Sequence, residues 1–268
     1  MGLPEDMYAG RGSDTGLAED YSWLLPPQWM SGEIFLQQHA AVFAGLPSGS
    51  SILDAACGVG VEAVALAGKG FKVSASDASP DMVEQCRRRA AETGMNVPTE
   101  VACWRDLPRT WRTHFDLVLC TGNSIVHAAG EEEMISGLRG LRGVLAERGK
   151  LLVTSRNWEK IHRERQRLAV PSQMQKQGGR QGLGIYLWDI PETWDAPHVA
   201  EIVILVFEGD TVVSRRHEVV FQPFRHGELV HRMQQSGLSI VSDSYETDAD
   251  WYSVVAERAD RWVPSLRS

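Results

Sequence analysis

Cysteine is scarce. The 268 residues contain only Cys57, Cys86, Cys103 and Cys120, which form neither a CxxC pair nor a Cys/His metal pattern. A zinc site and a disulfide framework are both excluded by that spacing, no metal is implied, and a reducing cytoplasm is the expected compartment. No apolar run approaches the roughly 18 residues of a membrane span, and the N-terminal MGLPEDMYAGRGSD has neither the basic start nor the apolar centre of a secretory signal. The expectation is a chain that meets no membrane. Positive charge is also in deficit, with 27 Lys and Arg against 35 Asp and Glu and a net charge of -8. A surface that grips nucleic acid needs clustered Lys and Arg, so nucleic acid is set aside as a partner. Internal repeats and low-complexity tracts are lacking. What is there, 43% hydrophobic and 23% charged residues, is the profile of an ordinary globular protein.

Between residues 52 and 153, short β-branched runs alternate with longer helical stretches, the pattern of a parallel sheet with crossover helices. Strands are expected at 52–55, 71–76, 100–103, 115–120 and 150–154. Helices are expected at 61–67, after Ser79 as N-cap with Pro80 at the first helical position, and at 131–145. Residues 156–184 break the rhythm: RNWEKIHRERQR reads as a basic helix and the polar, Gly-rich QMQKQGGRQGLG as a lid insertion. Strand-like runs at 185–190, 200–207 and 212–221 suggest an antiparallel meander, and a helix at 226–236 leads into LSIVSDS and YSVVAER as a closing hairpin. The expected fold is α/β, a Rossmann-like doubly wound seven-stranded sheet with a meander and lid inserted after the fifth strand. The boundaries follow: a helical cap over 1–50, a cofactor-binding core over 51–156, a lid and substrate-side insertion over 157–225, and a final helix and hairpin over 226–268.

The strongest local signal is ILDAACGVGVEA, residues 52–63. An apolar strand ends in an acid, and glycines follow where the chain turns sharply and a ligand would approach the backbone. The bland alternative is a helix start with two incidental glycines. Gly58, Gly60 and Ala63 also satisfy the GxGxxG/A dinucleotide pattern, with Asp77 near the expected spacing, which keeps a dehydrogenase in view. Asp54 and Cys57 between strand and glycines, and some fifty residues ahead of the first strand, count against it.

The DxACGxG turn, with an acid ending the next strand, resembles motifs I and II of class I S-adenosylmethionine-dependent methyltransferases. FDLVLCTGNSIVHA at 115–128 and LLVTSRNWE at 151–159 resemble glycine N-methyltransferase in particular, which has a GNSxxH turn and an ArgAsn pair followed by an aromatic. The similarity runs from about residue 8 to 158. It implies S-adenosylmethionine as cofactor and S-adenosylhomocysteine as product. On that resemblance, Asp54, Ala56, Gly58 and Gly60 lie along the methionyl portion, Asp77 takes the ribose hydroxyls, and Ala78, Met82, Cys120 and Gly122 complete the cofactor's surroundings. The family often has an acid or amide for the adenine where this chain has Cys103, so adenine recognition falls to Trp104 and backbone amides, with Asp106 as helper; Cys103 is alternatively a small buried filler.

The resemblance also implies a tyrosine over the donor methyl, for which Tyr8 and Tyr21 are equal claimants, and Arg11 as partner of the cofactor carboxylate. Asn123 and Ser124 face the acceptor. His127 either orients the cofactor or satisfies a core hydrogen bond. Arg156 matches the arginine that holds the acceptor's carboxylate, with a solvent-facing role as the alternative. Trp158, Tyr186, Trp188 and Phe221, with Trp194 and Phe224, replace several tyrosines of the resembled enzyme and suggest a larger, more apolar acceptor, unless they are core residues. The expected function is methyl transfer to a small molecule, at the amine of an amino-acid-like or peptide-like acceptor. Two alternatives remain open: methylation of an electron-rich carbon such as indole C3 in natural-product biosynthesis, and a cofactor-binding regulatory module without turnover. Homo-oligomerisation is left open.

Overall fold

The computed structural model describes residues 16–194 and 196–259, so Tyr8 and Arg11 lie outside the described residues. Its central sheet runs through β1 (Ser51–Asp54), β2 (Lys72–Asp77), β3 (Thr99–Val101), β4 (Phe115–Cys120), β5 (Leu145–Arg156), β11 (Leu238–Asp243) and β12 (Trp251–Arg258). The strand order is β11-β12-β5-β4-β1-β2-β3, in which β1 to β5 are parallel and β12 runs antiparallel to both β5 and β11. Strands covered on both faces need near-continuous apolar runs, and Ile52, Leu53, Leu117, Val118 and Leu119 are all fully buried.

Four short helices, α1 (Leu17–Asp20), α2 (Pro27–Met30), α3 (Glu33–Gln38) and α4 (Ala40–Ala44), precede the sheet. The crossovers carry α5 (Val61–Gly68), α6 (Pro80–Glu92), α7 (Leu107–Thr110) and α8 (Glu131–Gly143), and α9 (Trp158–Glu164) and α10 (His226–Gln235) follow β5 and the insertion. α6 begins as its sequence suggests: the Ser79 hydroxyl accepts the Met82 N–H at 3.3 Å and Pro80 occupies the first turn. Among the described residues no helix is long and apolar enough to cross a membrane.

The insertion is a second sheet, ordered β10-β9-β8-β6, of β6 (Leu168–Ala169), β8 (Arg180–Asp189), β9 (His198–Glu208) and β10 (Thr211–Phe221), with β7 (Gln175–Gln177) paired to β8. β9 alternates buried and half-buried positions, turning Ala200, Ile202, Ile204 and Val206 inward. These residues join one apolar cluster with Leu53, Val118, Trp158 and Trp188, so the two sheets share a core.

Three local expectations change. Residues 175–189 are a β-hairpin rather than a polar lid loop, because Gly178 (φ 52°) and Gly179 (φ 80°) adopt the left-handed backbone that a two-residue hairpin turn demands. β5 extends to twelve residues rather than five, pairing with β4 from Phe115↔Leu145 and with β12 as far as Trp251↔Arg156. The basic helix stops at Glu164, where Arg165 turns left-handed (φ 52°).

Candidate active site

The loop after β1 and the carboxyl end of β2 form one cradle. Asp77 Oδ2 accepts the Gly58 N–H at 2.9 Å and Oδ1 accepts the Ser79 N–H at 2.9 Å, so the carboxylate is aimed by backbone amides and keeps free lone pairs for a vicinal diol. Burial raises its pKa, against the pull of those amides. A Cβ on Gly58 would meet nothing within 4 Å, whereas one on Gly60 would lie 2.7 Å from Cys86 Sγ. Both glycines have positive φ, at 49° and 80°. Gly58 therefore borders open space, and Gly60 is required for packing of the loop against α6.

Asp54, 1% exposed, ends β1. Its Oδ1 accepts the Ala56 N–H at a long 3.4 Å, and its Oδ2 is buried without a partner among the described residues. Burial, followed by the charge of Glu62, pushes this carboxyl well above the usual carboxylate range, and burial also raises Glu62. Asp54, Glu62 and Asp77 line the cradle with carboxyls that burial shifts toward the protonated form, and an approaching cation would favour their ionisation. An orphaned carboxylate oxygen and an acidic lining fit a ligand that carries ammonium and sulfonium charge.

The remaining cofactor-side positions are closely placed. Trp104 donates its indole N–H to the Ala55 carbonyl at 2.8 Å and is wedged against α8, where a Cβ on Gly137 would meet the ring at 3.1 Å. Cys103 is half-buried and Cys120 fully buried, and burial raises both thiol pKa values. Ala56 and Met82 are half-buried, Ala78 is exposed, and Gly122 donates its N–H to Thr154 Oγ1 at 2.9 Å. Asp106 is engaged with Arg105 on the surface, at 3.4 Å.

On the acceptor side, Asn123 follows β4 with a left-handed backbone (φ 68°). Its Oδ1 accepts from Ser155 Oγ at 3.3 Å, Arg156 N at 3.0 Å and Trp158 Nε1 at 3.1 Å. Three donors saturate a carbonyl oxygen, so this atom binds the end of β5 rather than a ligand. Ser124 Oγ donates to the Thr121 carbonyl at 2.7 Å. His127 is exposed and tilts over Phe221, with ring centroids 5.1 Å apart. Trp158, 1% exposed, packs among Trp188, His198 and Phe221 at 5.3 to 6.1 Å. It is a core residue. His198, fully buried, has no hydrogen-bond partner on either ring nitrogen among the described residues, and burial lowers its pKa to about 4.

Two residues lead from the cradle to the acceptor side. Tyr21 is desolvated, which raises its pKa; Glu62, Tyr186 and Asp77 raise it further and Arg156 lowers it, so its hydroxyl is within electrostatic reach of both halves of the site. The Arg156 guanidinium lies over the rings of Trp251 (5.2 Å) and Trp188 (5.8 Å) and lines a cleft of about 250 Å³ with Lys160, Glu164 and Asp250. Burial lowers its pKa. Trp251 and Asp20, which buttresses Tyr21, are absent from the expectations above. Nothing in their local patterns marks them, because their partners lie far away in sequence.

The geometry has counterparts. Residues 52–149 match the family model described as a methyltransferase domain. Over these residues the chain carries a methyltransferase domain. This domain resembles glycine N-methyltransferases: the chain is 34% identical over 111 residues to the glycine/sarcosine N-methyltransferase of Parasynechococcus marenigrum (41% of this chain, 39% of that one). It is 30% identical over 146 residues to the glycine N-methyltransferase of Homo sapiens (50% and 46%). It thus spans less than half the length of these curated relatives. The methyltransferase fold extends over nearly the whole chain, as a crystal structure of an S-adenosylmethionine-dependent methyltransferase from Clostridium acetobutylicum ATCC 824 superposes with a TM-score of 0.71 at 16% identity, covering 91% of this chain and 98% of that one. With the methyltransferase domain matched, the dinucleotide reading of Gly58, Gly60 and Ala63 is set aside. The cradle residues fit the cofactor of this class.

Proposed function

We propose that the chain transfers the methyl group of S-adenosylmethionine to the amine nitrogen of an amino-acid-like or peptide-like acceptor whose carboxylate is held by Arg156. One observation carries this reading. Arg156 is a desolvated cation between two indole rings, opening on a cleft, with no carboxylate paired to its guanidinium among the described residues. A largely desolvated charge without a direct ion pair is costly, and an anionic ligand with two coplanar oxygens matches the guanidinium fork.

The cofactor supplies an electrophilic methyl on a positively charged sulfur. The reaction is an in-line displacement, so the chain's task is to hold a nitrogen lone pair about 3 Å from the methyl carbon and opposite the sulfur, an orientation effect worth roughly 7–11 kcal/mol. Asp77 holds the nucleoside side, and Gly58 with Asp54 and Glu62 lines the cationic methionyl side. Tyr21 caps the donor methyl. Asn123 positions Arg156 and Trp158, and Arg156 aligns the acceptor through its carboxylate.

The relatives' names give glycine and sarcosine as acceptors, which supports N-methylation of an amino-acid-like compound. The indole faces of Trp188 and Trp251 favour a second reading, methylation at an electron-rich aromatic carbon such as indole C3. The open cleft beside Arg156 argues for turnover rather than a silent regulatory module. Four unpaired cysteines suit a reducing cytoplasm.

Calorimetry with S-adenosylhomocysteine tests the cofactor half: measurable binding that Asp77→Ala weakens is expected, and no binding defeats the reading. Kinetics with Arg156→Ala should show a raised acceptor KM with unchanged cofactor affinity. An unchanged KM removes the carboxylate clamp. Mass and connectivity of the product separate nitrogen from carbon methylation.

A further inference from the structure

We infer that the cleft outside Arg156 is a specificity subsite in which Trp251 stacks on a flat aromatic side chain of the acceptor. This rests on the reading of Arg156 as carboxylate clamp, and names the acceptor as an aromatic amino acid or a close analogue. Trp251 opens β12 directly across from Arg156 on β5, its Cα partner in the ladder, so clamp and platform sit on adjacent strands. The indole is 43% exposed, an unusual position for the largest apolar side chain unless something else covers it.

Lys160 Nζ is 2.7 Å from Asp250 Oδ1 and 3.9 Å from Glu164 Oε1, and also donates to the Asp248 carbonyl at 2.8 Å. This cluster of one cation and two carboxylates holds Lys160 in direct contacts, whereas the Arg156 guanidinium, flanked by aromatic faces, makes no direct ion pair among the described residues and feels Asp250 only at longer range. A carboxylate beside a ring completes that arrangement, with the anion on the guanidinium fork and the ring in offset contact with the indole.

Size points the same way. The space of about 250 Å³ equals the share of roughly eight water molecules. Glycine has five non-hydrogen atoms, three of them in the carboxylate, and would leave most of the cleft wet. Ala169 is a small residue of the lining and takes up little of that volume.

The test is calorimetry on the full chain saturated with S-adenosylhomocysteine, titrated with L-tryptophan, L-leucine and glycine, for wild type, Trp251→Ala, Trp251→Phe and Arg156→Ala. L-tryptophan should bind about tenfold more tightly than glycine, and Trp251→Ala should erase that margin while Trp251→Phe keeps most of it. S-adenosylhomocysteine affinity should be unchanged by both Trp251 variants, and the ratio of L-tryptophan to glycine affinity is the quantity that reads the subsite. Equal affinity for L-tryptophan and glycine in wild type, or an inert Trp251→Ala, overturns the subsite. If in that case Arg156→Ala still weakens all three amino acids, the clamp stands without it. If Arg156→Ala weakens none, the clamp itself has failed.

Discussion

The Asn123 side-chain carbonyl and the Trp158 indole N–H meet at 3.1 Å, both in buried side chains. Because the same oxygen accepts the Arg156 N–H, the turn after β4 is tied to the point where β5 delivers its arginine. Asn123→Ala strands these donors and also forces a Cβ-bearing non-Asn residue into the left-handed region. It should destabilise the protein by about 3 kcal/mol in urea unfolding, with Asn123→Asp losing less. An Asn123→Ala variant as stable as wild type would show that the amide does not bind the two strands together.

Gly58 and Gly60 should respond differently to the same methyl group. Gly60→Ala drives a Cβ to within 2.7 Å of Cys86 Sγ and 3.0 Å of its Cα, so it should lower the melting temperature and, through that, activity. Gly58→Ala points into open space and should leave the fold nearly intact, apart from the roughly 1 kcal/mol cost of positive φ, while weakening S-adenosylhomocysteine binding. Thermal melts and calorimetry on the two variants make the comparison.

The Asp54 carboxyl has a pKa raised well above the usual range by burial and by Glu62. The folded state therefore retains a proton that the unfolded chain gives up, and stability falls as pH rises from the ordinary Asp value of about 3.9 through the raised one. Asp54→Asn removes that loss. The variant should be more stable than wild type at pH 8, lose this advantage near pH 4, and bind S-adenosylmethionine more weakly. Melting curves at the two pH values, with calorimetry, test each part.

Asp20 binds the segment bearing Tyr21 to the inserted sheet. Its carboxylate accepts from Arg215 Nε at 2.8 Å and lies 2.9 Å from His217 Nε2 on β10. Burial opposes its charge, but the hydrogen bonds from Arg215 and His217 win and hold its pKa below the usual value. A lowered carboxyl pKa contributes stability above about pH 3.9 that disappears as pH falls through the folded value. Asp20→Ala should cost about 3 kcal/mol at pH 7, since it leaves buried His217 without this partner, and the difference from wild type should shrink toward pH 2. Restoring acceptor function with Asp20→Asn should recover part of the stability but not the pH dependence.

How much of this was legible depended on the kind of interaction. The core strands could be read because a strand buried on both faces tolerates little but apolar residues, and β4 spans 115–120 as its composition suggests. The glycine turn was legible because a tight turn restricts the residue type, and Asp77 because an acid ends the second strand of the pattern. The hairpin at 175–189 was not, because its residues are polar and its order comes from the Gly178-Gly179 turn and from pairing with β9. Among the aromatics, type alone could not separate a core residue from a cleft wall: Trp158 is sealed in and Trp251 is open, though both are tryptophans beside β5.

By itself, then, the chain's order of residues determined the parallel sheet, the cradle loop and the residues that could meet a charged nucleoside. These follow from local rules, namely periodicity, backbone freedom at glycine and the chemistry of one carboxylate. Tertiary structure alone decided that Asn123 spends its carbonyl on Trp158, that Arg215, 195 residues along the chain, holds Asp20 beside Tyr21, and that Arg156 stands between Trp188 and Trp251. Burial and pairing across the fold are properties of neighbours in space, and no window of sequence contains them.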